Sequence, residues 1–113
     1  MSKIADTPKP PYYAVIFSNE QTEDLEGYAE TAARMEELAA QQPGYLGIET
    51  ARDGHGFGIT VSYWETLDAI RAWKANAEHL VAQKNGRERW YASYNLRVCR
   101  VEYEYSSPQG EPS

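Results

Sequence analysis

Apolar and polar positions alternate along this chain in two different periods, and the switches between them mark out its elements. Tyr12 to Ser18, Tyr-Tyr-Ala-Val-Ile-Phe-Ser, is apolar on both alternating faces, which predicts a strand covered on both sides. Leu25, Tyr28, Ala32, Met35 and Leu38 then recur at helical spacing. Thr22 or Asn19 is the expected cap of that helix, with Glu23, Asp24 and Glu26 suited to its positive end. Pro43-Gly44 stops it. Tyr45 to Arg52 predicts a second strand, and Asp53-Gly54-His55-Gly56 a turn. In the third strand, Phe57 to Trp64, Phe57, Ile59, Val61 and Tyr63 point one way. Gly58, Thr60, Ser62 and Trp64 point the other. Thr66 caps a helix with Leu67, Ile70, Trp73 and Ala77 inward, and a further helical piece runs from about Ala77 to Arg89, broken near Gly86. Tyr91 to Tyr105 predicts a long last strand.

The element order is βαββαβ, which predicts an α+β, ferredoxin-like antiparallel sheet with helices on one face. The other face also carries apolar and aromatic side chains, so a second copy of the chain is expected to cover it, making a symmetric homodimer. Residues 1–11, with Pro8, Pro10 and Pro11, read as an extended arm, 12–105 as the folded domain and 106–113 as a loose tail.

Composition narrows the partners. The net charge of −6, with no run of Lys and Arg, argues against nucleic acid and against an anionic membrane surface. The single cysteine, Cys99, rules out an intrachain disulfide, and its strand setting fits a packing residue. No apolar run reaches transmembrane length and no signal-peptide pattern opens the chain, so a cytoplasmic location is expected. With one Cys and two distant His there is no zinc spacing, and no metal site is expected. Neither a GxGxxG nor a P-loop occurs.

Two segments carry a resemblance. Pro43-Gly44-Tyr45-Leu46-Gly47 joins a helix stop to a strand. The block from Tyr63 to His79 closes a strand with one Trp, places a second Trp on the following helix, and ends in a His. Together they resemble the antibiotic biosynthesis monooxygenase domain, within the dimeric α+β barrel superfamily. The resemblance implies a pocket between sheet and helices in each protomer. It also implies a possible oxidation of an anthrone-like or quinol-like aromatic with dioxygen, without metal or flavin, so no cofactor is expected.

Chemistry of that kind needs an apolar slot for a ring, a donor for an oxyanion, and a base. Trp64 and His79 are the catalytic candidates. The Trp64 N–H suits a substrate carbonyl or a peroxy group, although the same indole suits an aromatic plug under the second helix. His79 has the titration range of a general base. Tyr63, Trp73, Asn19 and Asn76 are the substrate-binding candidates, while His55 lies in the glycine turn. A non-catalytic module binding an aromatic ligand fits the same residues. Haem degradation is a third reading. There Asn19 and Trp73 match the family's positions, but the axial ligand position falls near Gln83, and Gln is a poor iron ligand.

Overall fold

The computed structural model describes residues 2–107. Four strands and their helices follow in the order β1 (Tyr12–Gln21), α1 (Tyr28–Ala40), β2 (Tyr45–Arg52), β3 (Phe57–Trp64), α2 (Leu67–Lys74), α3 (Ala77–Asn85) and β4 (Tyr91–Val101). A π-helical turn over Gly86–Trp90 joins α3 to β4. The sheet order is β2-β3-β1-β4, and every neighbouring pair is antiparallel. This is a ferredoxin-like βαββαβ arrangement.

Register decides which side chains share a face. Tyr13 lies opposite Trp64, Val15 opposite Ser62, Phe17 opposite Thr60 and Asn19 opposite Gly58. On the other flank of β1, Val98, Leu96 and Tyr94 lie opposite Val15, Phe17 and Asn19. On β2, Ile48, Thr50 and Arg52 join the same face. Trp64 stacks on Trp73 of α2, so this is the side the helices cover. The opposite face carries Ile16, Phe57, Ile59, Val61 and Tyr63.

Several local expectations hold for the expected reasons. Thr66 Oγ1 accepts from the Ala69 amide and starts α2. Asp53 Oδ1 accepts from the amides of His55 and Phe57, closing the β2–β3 turn with Gly56 at φ 95°. Gly44 takes φ 84° where α1 ends.

Others differ. Helix α1 begins at Tyr28, after Gly27 at φ 79°, and no side chain caps it. Thr22 instead donates its hydroxyl to the Arg89 carbonyl, tying the β1 end to the π turn, and Asn19 lies within β1. Leu25 therefore precedes the helix and is exposed. The last strand stops at Val101, because its ladder partner β1 begins at Tyr12. Leu67 and Ala77 are exposed rather than inward. The expected tail falls largely on residues 108–113, outside the described residues.

The N-terminal arm lies against the face away from the helices. The Ala5 amide donates to Glu49 Oε2, and Ala5 packs so closely on β2 that a methyl group on Gly47 would come within 2.9 Å of it. Tyr12 donates to Thr7, and Thr7 to Glu104, so the arm is also tied to the chain beyond β4.

Candidate functional site

The helix-covered face contains few filled positions. No residue of α2 or α3 is fully buried. Tyr94, Leu96 and Val98 on the edge strand are about half exposed, although they lie on the face toward the helices. Their neighbours Val15 and Phe17 are only partly covered. Apolar side chains of β4 and β1 are thus left partly uncovered on this face, with an aromatic stack toward one end of the strands and a polar cluster toward the other.

At the first end, Trp64 is fully enclosed, at 0% exposure. Tyr45 meets it edge-on, and Trp73 stacks on it at 6.2 Å and 25°. His79 lies on Trp73 in turn, at 4.1 Å and 12°. The stack is built by local sequence. Trp73 lies in the last turn of α2, and Asn76 starts α3 by accepting from the amides of Glu78 and His79 at its Oδ1. That cap returns His79 over the indole. The Trp64 N–H is already engaged, donating to Ser62 Oγ at 2.9 Å.

The protonation of His79 follows from its partner. His79 Nδ1 is 2.9 Å from the Trp73 carbonyl oxygen, which can only accept, so Nδ1 carries the hydrogen. Nε2 is left as the basic nitrogen, with no hydrogen bond among the described residues. Burial holds the imidazole below its ordinary range, partly offset by the bond to Trp73. The ring is thus neutral at physiological pH. Gln83 donates to the Lys74 carbonyl at 3.0 Å and lies 3.5 Å from His79 Nδ1. The expected axial position is therefore occupied by an amide engaged with backbone.

At the second end, Asn19 is almost wholly buried, at 2% exposure. Its Oδ1 accepts from Arg52 Nη2 at 2.7 Å, while its Nδ2 has no partner. The same Arg52 donates to the Tyr28 hydroxyl and to the Gly56 carbonyl, and its guanidinium lies over the Tyr28 ring. Tyr91 packs edge-on against both Phe17 and Tyr28. Burial pushes the Tyr91 phenol well up, and the Tyr28 hydroxyl adds to the shift.

The structure thus brings Trp64, Trp73, His79 and Asn76 together and sets Asn19 apart. Asn19 lies opposite Gly58, so roughly 20 Å of β3 separates it from Trp64 at about 3.3 Å per residue. Asn76 reaches His79 through the backbone, since its side-chain oxygen caps α3. Tyr63 lies on the opposite sheet face from Trp64, as strand alternation requires. There it donates to Glu49 at 2.6 Å and meets Tyr12 edge-on. Burial and the Glu49 carboxylate push its phenol well up. His55 is exposed in the turn. Sequence reasoning missed Arg52, which reads as a charge before a glycine turn; the available signal was an Arg on the Trp64 face of a strand.

A separate groove of about 350 Å³ runs between α1 and α3, past Met35, Val81 and Ala82 and beside the Arg34–Glu78 ion pair. None of Trp64, Trp73, His79 or Asn19 lines it. Among the described residues no group of His, Cys, Asp and Glu could hold a metal ion, and no helix is long and apolar enough to cross a membrane.

Comparison with known proteins bears on this architecture. An uncharacterized protein of Bacillus subtilis (strain 168), YqjZ, is 53% identical over 102 residues, covering 90% of each chain. SnoaB from Streptomyces nogalater, described as a cofactor-independent oxygenase, superposes with a TM-score of 0.69 at 14% identity, covering 90% of this chain and all of its own. Rv0793 from Mycobacterium tuberculosis superposes with a TM-score of 0.74 at 13% identity, covering 84% of this chain and 99% of its own. At such identities these two establish the fold alone. The family model described as antibiotic biosynthesis monooxygenase matches residues 11–85, from the start of β1 to the end of α3. That match takes in Asn19, Arg52, Trp64, Trp73 and His79, and the chain belongs to the antibiotic biosynthesis monooxygenase family.

Proposed function

We propose that this protein is a monooxygenase that oxidises a small phenol-, quinol- or anthrone-like molecule with dioxygen, using its own side chains rather than a bound cofactor. One observation carries the reading. A neutral imidazole with a bare Nε2 stacks on an indole that in turn stacks on the enclosed Trp64. Such a group is a competent base near neutral pH. Membership of the family, and the description of SnoaB as a cofactor-independent oxygenase, support it. The working unit is a homodimer, as the exposed apolar sheet face favours.

In the proposed reaction His79 Nε2 takes a proton from the substrate's hydroxyl or activated ring carbon. The resulting anion passes an electron to dioxygen, and the two radicals join through a new carbon–oxygen bond. The oxygen–oxygen bond then breaks with loss of water. At a ring methylene, both hydrogens leave in that water, one oxygen atom stays as the carbonyl, and dioxygen accepts all the electrons the carbon loses. Trp73 and Trp64 form the wall at this end and Asn76 holds His79 in place, while Asn19, roughly 20 Å away along β3 at about 3.3 Å per residue, lies beyond the reach of the same small ring.

Oxygen uptake with a panel of anthrones and naphthohydroquinones tests this reading. Uptake above the spontaneous rate is expected, falling about 100-fold or more in His79→Gln while the fold persists. Uptake at the spontaneous rate across the panel, unchanged in the variant, overturns it. A second reading, ring binding without turnover, is favoured by the Ser62 bond that already engages Trp64. It predicts retention of aromatic probes in equilibrium dialysis with no oxygen consumed.

A further inference from the structure

Arg52 has an unusual setting for an arginine in a chain of net charge −6. Its three hydrogen-bond partners, Asn19 Oδ1, the Tyr28 hydroxyl and the Gly56 carbonyl, are all neutral. Among the described residues it makes no ion pair. Arg52 is an exposed residue whose guanidinium lies 5.7 Å from the Tyr28 ring centre and directly against Gly58. Any side chain at Gly58 would displace the guanidinium, since a methyl group there would come within 2.5–2.7 Å of it.

The consequence falls on Asn19. A guanidinium has donors only, so the amide atom facing it must be the oxygen. Arg52 thereby fixes which way the buried amide points and leaves its NH2 group as a donor without an acceptor. An orphaned buried donor costs about 1–3 kcal/mol, so native structures seldom keep one without an external partner. Two local irregularities flank the position. The β1–β4 ladder shifts register between Glu20 and Gln21, and the π turn Gly86–Trp90 leads into Tyr91, whose ring lies against Phe17 and Tyr28. Bulges and π turns of this kind recur beside binding sites.

We propose that Arg52 is a positioning residue that locks Asn19 as a donor, and that the pair forms a recognition site for an acceptor oxygen conjugated to an aromatic ring, either a ring ketone or a phenolate. The inference rests on the aromatic-ligand reading above and adds to it a second place, at the Asn19 end of the sheet, where the oxygen of such a ring is recognised. A hydroxyl hydrogen or an amine directed at Asn19 Nδ2 would meet a donor and be rejected. The positive charge of Arg52 further favours the ionised form of a phenol over the neutral one.

Equilibrium dialysis with 9-fluorenone and fluorene, two rings that differ by one ketone oxygen, separates the outcomes. Wild type is expected to hold the ketone about tenfold more tightly or better, as one buried hydrogen bond provides. Arg52→Met and Gly58→Ala are both expected to bring the two ligands to within about twofold, the second by displacing the guanidinium while keeping its charge. Arg52→Lys is expected to restore part of the preference, because an ammonium still donates to Asn19 Oδ1. The ratio is independent of how much protein is folded, so general destabilisation does not imitate the effect. If wild type holds both rings equally, or keeps its preference in Arg52→Met and Gly58→Ala, the inference falls and the aromatic-ligand reading stands. If wild type holds neither, both fall together.

Discussion

At the scale of single residues, the burial of His79 couples acid–base state to stability. Burial lowers its folded pKa relative to the unfolded value near 6.5, so the unfolded chain binds the proton first. Its contribution is therefore complete above about pH 6.5 and declines as pH falls from there toward the folded value. Urea midpoints between pH 8 and pH 5 should show this decline in wild type, and His79→Gln should flatten it. An unchanged slope would mean that the imidazole is not buried as described. Trp64 has a comparable signature. Its N–H is enclosed and bonded only to Ser62, so Ser62→Ala orphans a buried donor at a cost of about 1–3 kcal/mol. Adding Trp64→Phe removes that donor, so the double variant should lose less stability than the two single losses added together. Strict additivity in a double-mutant cycle would show that the bond contributes nothing.

At the scale of elements, Gly44 sets how α1 hands over to β2. It takes φ 84°, and a methyl group there would meet the Ala69 methyl at 2.6 Å, so the turn and α2 share one tight contact. Gly44→Ala should cost about 2–4 kcal/mol, combining left-handed strain with overpacking. A chemical unfolding curve measures it, and a loss below 1 kcal/mol would show that the contact yields easily. This element was legible, because Pro43-Gly44 is a strong stop signal. So was α2, since Thr66 caps locally and Trp73 recurs on its inward face. The start of α1 was not. Glu23, Asp24 and Glu26 look like the acidic first turn of a helix, but Gly27 turns the chain and Thr22 bonds across to Arg89. That partner is 67 residues away, and no local pattern carries it. The same holds for the two clusters on the helix-covered face. Trp73 and His79 are neighbours in sequence, and their stack could be anticipated. Asn19 and Arg52 meet across two strand pairings, and only the register reveals that they share a face.

At the scale of the whole molecule, the proposed homodimer turns on the sheet face away from the helices. Phe57 and Ile59 are 44% and 38% exposed there, beside the partly covered Ile16 and Val61. The arm crosses only the Tyr12–Tyr63 end of this face, from Ala5 on Gly47 and Glu49 to Thr7, which bonds with Tyr12 and Glu104. The strip along β3 and β1 is left open, and an apolar strip flanked by polar residues is the usual signature of an interface. A two-fold partner that sets the same strip against itself would bury Ile59 near its middle. Ile59→Asp places a charge there in each subunit, and the two-fold axis doubles the penalty because both copies carry it. Light scattering on the eluting protein should therefore give the mass of two chains for wild type and of one for Ile59→Asp. Leu80→Asp, an equally drastic change at an exposed position on α3, should leave the dimer intact. If instead Leu80→Asp separates the chains and Ile59→Asp does not, assembly runs through the helices, and the open strip of the sheet must be accounted for in another way.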